Sequence, residues 1–152
     1  MNENKLISKN KKAYFDYEIL DSREAGIELK GYEVKSIRKG NVNLKGAYVS
    51  LQTGDAVVRG MHISALENTM NKNLVEPARD RNLFLHKKTI NLLREKSKEP
   101  GKTVIPLEIY TSGNLIKIKV GLVMGRKEYN KKQLLKERTL DKEAKIMMKK
   151  HY

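Results

Sequence analysis

The 152-residue chain contains no cysteine. That excludes a disulfide framework, a thiolate metal site and a cysteine nucleophile. Its longest apolar runs fall far short of the ~18 residues a membrane span needs. At the N-terminus, Lys5, Lys9, Lys11 and Lys12 surround only Leu6 and Ile7, which lacks the apolar region of a signal peptide. Histidine is scarce, and His62, His86 and His151 lie too far apart for any metal-ligand spacing to link them. There is neither a phosphate-binding glycine loop nor a zincin pattern. A nuclease built from Asp16, Glu24 or Glu33 with His62 remains conceivable only through a spatial proximity that sequence does not display. The expectation is a protein without enzymatic activity, cofactor or metal.

Acidic residues are outnumbered. Lys plus Arg is 32 and Asp plus Glu 18, giving a net charge of +14. Such an excess points to a polyanionic partner, nucleic acid ahead of an anionic membrane, and to a soluble cytoplasmic protein. Apolar residues make up 39%, enough for one small core but not for a chain that is globular throughout. The expected division is a disordered basic N-terminus over residues 1–12, a compact body over 13–125 and a basic tail over 126–152.

Within the body, Phe15, Tyr17 and Ile19 alternate with Asp16 and Glu18, which predicts a strand over Ala13 to Leu20 with Asp21-Ser22-Arg23 as its turn. Ile27 and Leu29 alternate with Glu28 and Lys30 as a second strand. Val34 and Ile37 then predict a two-turn helix closed by Gly40, with Glu33, Lys35, Arg38 and Lys39 around it. Val42 to Leu51 reads as a strand interrupted at Gly46, and Ala56 to Met61 as another. Residues 64–76 lack periodicity and read as a long loop. Leu83, Leu85, Ile90, Leu92 and Leu93 predict a helical region opened by Pro77 and ended by Glu99-Pro100-Gly101. Ile105, Leu107 and Ile109, a turn at 111–114, then Ile116, Ile118, Val120, Leu122 and Met124 predict a hairpin. Pro106, having no N–H, belongs at an edge or a bulge. Six strands with two or three helices around one core suggest a mainly β, six-stranded antiparallel barrel of the oligonucleotide-binding (OB-like) kind.

After Gly125 the chain changes character. Residues 126–150 hold ten Lys or Arg against four acids, a net +6, with no further Gly or Pro. Leu140, Ala144, Met147 and Met148 form one narrow stripe at helical spacing. A single stripe does not offset an ordering entropy of ~1–2 kcal/mol per residue. The tail is therefore expected to be disordered when free and helical on a polyanionic surface.

The run from Glu24 through Arg38 resembles the SsrA-binding protein family (small protein B), the bacterial partner of transfer-messenger RNA. The resemblance extends to Asn10-Lys11-Lys12-Ala13, Met61-His62-Ile63-Ser64, Asp80 through Lys88, Gly101 through Leu107 and Gly125-Arg126-Lys127, so to most of residues 10–150. It implies an OB-like barrel with flanking helices that binds the tRNA-like domain of transfer-messenger RNA (SsrA). It further implies delivery of that RNA to the stalled 70S ribosome for trans-translation, with the tail in the decoding centre and messenger channel. Alanyl-tRNA synthetase and elongation factor Tu would be met through the RNA. The protein itself is expected to be a monomer with no membrane partner. A ribosomal or ribosome-assembly protein that binds ribosomal RNA is the alternative.

The candidate RNA-binding residues fall into groups. Lys11, Lys12, Lys35 and Arg38 are phosphate-binding candidates, as are Arg79, Arg81, Arg126 and Lys127. The competing reading of each is an ordinary solvated cation, which the overall charge and the presence of two basic runs disfavour. Glu24 reads by itself as a turn-end carboxylate, an acceptor for ribose hydroxyls or base edges, or a holder of a neighbouring arginine. The resemblance implies the RNA-binding role, and it does the same for Phe84 and Lys117. Phe84 stands where the family usually has Leu, and a core position is its competing reading. Phe15, where the family often has His, is an aromatic contact or core. In the tail, Tyr129 suits stacking on an unpaired base or packing on the barrel. Lys131 and Lys132 follow Asn130 where the family has Asp-Lys-Arg, so a carboxylate and a guanidinium fork are missing. Lys136 and Arg138 add cations, and Ile146 and Met147 match apolar tail positions of the family.

Overall fold

A computed structural model describes residues 5–65 and 76–126. The order of elements is β1 (Lys5–Lys9), α1 (Lys11–Asp16), β2 (Tyr17–Ile27), α2 (Gly31–Arg38), β3 (Val42–Asn43), β4 (Tyr48–Ser50), β5 (Ala56–Arg59), β6 (His62–Ile63), β7 (Arg81–Phe84), α3 (Lys87–Ser97), β8 (Lys102–Ser112) and β9 (Leu115–Gly125). Seven strands form one antiparallel sheet in the order β1-β8-β9-β2-β7-β5-β4, and β3 pairs with β6 in a separate ribbon. The sheet curls until β4 returns alongside β8, with no ladder between those two among the described residues. Six strands, β8 through β4, thus surround the core as an OB-like barrel with one open seam, and β1 is added outside on β8.

The core follows from the pleat. Ile109, Ile118, Ala25 and Leu83 lie on the inner face, as do Val58 and Val120, and all are buried. The β8–β9 hairpin forms as expected, with Pro106 at a bulge where an imide without an N–H is tolerated. That bulge turns Ile105 and Leu107 to the face opposite Ile109, with which their alternation had grouped them. A second, smaller core forms on the outer face at one end of that hairpin, where Ala13 of α1 covers Ile105, Leu107 and Val123. The outer face at the other end is left open, which is what makes a binding surface available.

Several expectations are corrected. Residues 5–12 are built into β1 and the start of α1 rather than standing apart from the body. Residues 13–16, expected as part of a strand, lie in α1 (Lys11–Asp16), because buried Asn10 nucleates the turn. Its Oδ1 accepts from the Ala13 N–H at 3.2 Å, while its Nδ2 donates to the carbonyls of Leu44 and Pro106 at 3.3 and 3.0 Å. Asp21-Ser22-Arg23 is no turn. It lies inside β2, beside a register shift between Ile19 and Asp21, so two expected strands are one. Residues 28–30 fall outside that strand. Residues 81–84 form a strand where a helix was expected, with Leu83 inward and Phe84 outward. The short helix α2 is closed as expected at Gly40, whose φ of 83° is available to glycine at little cost.

Candidate nucleic-acid interface

Register brings distant residues into two parallel rows on the open outer face. Lys9 pairs with Glu108, Glu108 with Lys119, and Lys119 with Glu24 across β1, β8, β9 and β2. One row further on, Tyr110 pairs with Lys117, Lys117 with Gly26, and Gly26 with Phe84 across β8, β9, β2 and β7. The β2–β7 ladder consists only of Gly26–Phe84 and Ile27–Leu83. Beyond it a depression of about 700 Å³ opens between β2 and α3, lined by Glu24, Phe84, Lys117, Arg23, His86 and Lys87 among others. Glu24, Phe84 and Lys117, far apart in sequence, therefore share one site.

Phe84 is 62% exposed and lies over Gly26, where a methyl group would come within 3.1 Å of the ring. Glycine is thus the floor that lets the aromatic side chain pack close against β2. The reading of Phe84 as core is corrected: the neighbours Leu83 and Leu85 take the inward positions, leaving Phe84 to water. Such a ring, with a carboxylate and an ammonium beside it, can stack on a base, accept from a hydroxyl or amine and meet a phosphate.

The carboxylates here are held by phenols. Tyr14 donates to Glu108 Oε1 at 3.0 Å, and Lys9 sits 4.4 Å above the Tyr14 ring. Burial first, then that hydrogen bond and the Glu108 charge, push the Tyr14 phenol up to about 12. Tyr110 is raised as well, by burial and then by its hydrogen bond to Glu24 and the charge of that carboxylate.

The second basic run behaves differently. Arg81 is 1% exposed and Glu33, which was expected among the surface residues of α2, is fully buried. Arg81 Nε donates to Glu33 Oε2 at 2.6 Å, and its Nη1 and Nη2 donate to the carbonyls of Met61, Arg79 and Pro77 at 2.8, 3.0 and 3.0 Å. Arg79 grips the same carboxylate through Nη2 and through Nε at 3.2 Å. The Lys30 N–H caps it at 2.8 Å. Arg81 is withdrawn from the RNA-binding candidates, since every donor it has faces an internal acceptor. Arg79, with 17% of its side chain exposed, is mainly a partner of Glu33.

The remaining candidates lie apart. Lys35 and Arg38 are exposed on α2, with Arg38 Nη2 donating to the Asn114 carbonyl in the β8–β9 turn at 3.0 Å. Lys11 and Lys12 are exposed on α1 at the opposite end of the hairpin. Arg126 is there too, half-buried, with Nε donating to the Tyr17 carbonyl at 3.1 Å. Phe15 is half-buried. Lys127, Tyr129, Lys131, Lys132, Lys136, Arg138, Ile146 and Met147 lie outside the described residues, as does most of the expected 64–76 loop. Among the described residues no group of three or more His, Asp or Glu could hold a metal, and Glu33 is engaged by two arginines.

The sequence pattern of the SmpB protein family matches residues 7–150. The chain belongs to that family. It is 43% identical over 148 residues to the SsrA-binding protein of Nitratiruptor sp., covering 97% of this chain and 99% of the relative. To that of Carboxydothermus hydrogenoformans it is likewise 43% identical over 148 residues, with the same coverage of both. To that of Enterococcus faecalis it is 41% identical over 149 residues, covering 97% and 95%. A solved structure described as "tmRNA-SmpB: a journey to the center of the bacterial ribosome" matches with a TM-score of 0.68 and 38% identity, covering 80% of this chain and 85% of that one.

For this member of the SmpB family, the exposed ring gives a sharp expectation. Phe84→Ala should leave the thermal midpoint almost unchanged but weaken RNA binding by ~1–3 kcal/mol, the worth of one stacked base. Phe84→Leu, the usual family residue, should retain part of it. A large fall in stability without a change in affinity would return Phe84 to the core. Tyr110, Glu108 and Lys119 were not singled out from the sequence, and Asn10 was named only together with Lys11 and Lys12, not as a helix cap. The outward alternation of Glu108 and Tyr110 with buried Ile109, and of Lys117 and Lys119 with buried Ile118, was the available signal for the first three. Asn10 had its capping spacing to Ala13.

Proposed function

We propose that this chain binds the tRNA-like domain of transfer-messenger RNA and delivers it to stalled ribosomes for trans-translation. The body holds the RNA through the Glu24–Phe84–Lys117 depression, with Lys35 and Arg38, and Lys11, Lys12 and Arg126, as phosphate contacts at the two ends. The tail, residues 126–152, enters the decoding centre and the empty messenger channel and becomes helical there. The protein acts in the cytoplasm as a monomer and performs no catalytic step. Alanyl-tRNA synthetase and elongation factor Tu are met through the RNA. One observation carries the reading: an exposed aromatic ring, a carboxylate and a lysine from three strands converge on an open face of a strongly basic barrel. The names of the relatives, all SsrA-binding proteins, favour transfer-messenger RNA over other structured RNA.

The test is to sequence RNA that co-purifies with the full chain and to measure its affinity across a salt series. Transfer-messenger RNA should dominate, and log affinity should fall with log salt by roughly 0.7–0.9 per phosphate contacted. Ribosomal RNA held through high-salt washing would instead mark a ribosomal or assembly protein.

A further inference from the structure

The row Lys9–Glu108–Lys119–Glu24 is a ladder of alternating charge, and its pairing is asymmetric. Lys119 lies between two carboxylates, directly across from Glu108 on one side and from Glu24 on the other. Its ammonium goes to Glu108 Oε2, at 3.6 Å. Glu108 is in turn fixed from behind by the Tyr14 hydroxyl, on its other oxygen. Among the described residues Glu24 makes no ion pair and is met by the neutral Tyr110 hydroxyl. A carboxylate has about four acceptor positions, so a single phenol leaves most of them open toward the depression.

A carboxylate on an RNA-binding face repels phosphate, and its use must lie in accepting hydrogen bonds from neutral donors. If Lys119 turned to Glu24, that acceptor would be neutralised and partly filled. We propose that Glu108 is a positioning residue for RNA recognition: by holding Lys119, it keeps Glu24 available to a neutral donor of the RNA, a ribose hydroxyl or a base amine. This rests on the proposed function and adds to it the chemistry that Glu24 reads. The ion pair is partly exposed, so the effect should be largest at low ionic strength.

The test exploits a conflict of signs. Glu108→Gln removes a negative charge from a polyanion-binding surface, and by long-range electrostatics alone it should tighten RNA binding. The proposal requires the opposite for transfer-messenger RNA: binding about three- to tenfold weaker at low salt. Binding to an unstructured homopolymer RNA should be unchanged or tighter. Lys119→Gln in the Glu108→Gln background should restore affinity to that of Lys119→Gln alone, because no ammonium is left to capture Glu24. Thermal midpoints of the variants, measured alongside, should lie close together, since both substituted positions are on the outer face.

Glu108→Gln binding transfer-messenger RNA as well as or better than the wild type would overturn the positioning role. Additive effects of the two substitutions would do the same. If the wild type holds transfer-messenger RNA no tighter than an unrelated structured RNA, the proposed function falls and Glu24 loses its ligand. That outcome is distinct, because it is read on the unsubstituted protein.

Discussion

Replacing Arg81 with methionine should destabilise the protein by ~3–5 kcal/mol, the cost of breaking a buried ion pair from one side. The substitution leaves Glu33 in the interior with Arg79 alone. It also strips three carbonyl oxygens, on Met61, Arg79 and Pro77, of their donor. A domain of this size holds only ~5–15 kcal/mol in total, so the thermal midpoint should fall by about 10–20 °C. Arg81→Lys should not rescue it, because one ammonium cannot reproduce a guanidinium that reaches four acceptors in a plane. RNA binding by either variant should track its folded fraction. A variant with wild-type stability and impaired RNA binding would restore Arg81 to the interface.

The same cluster sets an acid limit. Burial alone pushes the Glu33 carboxyl up, but hydrogen bonds from Arg79, the Lys30 N–H and Arg81, with the Arg81 charge, outweigh it and hold the carboxyl below its ordinary 4.5. The folded state therefore binds this proton less readily than the unfolded chain. Its contribution to stability is fully present above about pH 4.5 and is lost as pH falls toward the lower folded value. In Glu33→Gln this part of the acid transition should disappear, with lower stability at neutral pH.

The second large effect concerns the tail. A chain ending after Arg126 keeps every strand of the barrel, and it keeps the bonds by which Arg126 closes on Tyr17 and Asp16. It should fold with a near-normal thermal midpoint and retain most of its affinity for free transfer-messenger RNA. It should nevertheless fail to support tagging of nascent chains on stalled ribosomes, because nothing would occupy the messenger channel. In the full chain, Lys142→Pro removes one charge but costs a helix ~3 kcal/mol, so it isolates the folding step. Tagging by the truncated chain at the wild-type level would refute the role proposed for the tail.

The sequence by itself determined what depends on neighbours along the chain and on total charge. The β8–β9 hairpin was legible because apolar residues alternate along both arms on either side of its turn, although the bulge at Pro106/Glu108, which moves Ile105 and Leu107 to the other face, was not. The short helix at Val34 and Ile37 was legible from its spacing and from Gly40. The charge of +14 determined the class of partner. The family resemblance named Glu24, Phe84 and Lys117 together.

Only the tertiary structure decided which charges face water. Arg79 and Arg81 looked like Lys87 and Lys88 in sequence. Their partner Glu33 lies 46 and 48 residues away, and burial depends on such non-local contacts. The same arginine hid β7, because a cation at an inward position breaks the period-2 signal of Arg81-Asn82-Leu83-Phe84. Local alternation at Phe15 and Tyr17 lost to the Asn10 cap, whose other bonds reach Leu44 and Pro106. The row joining Glu108, Lys119 and Glu24 exists only once three strands are in register, and that register is set by packing across the barrel.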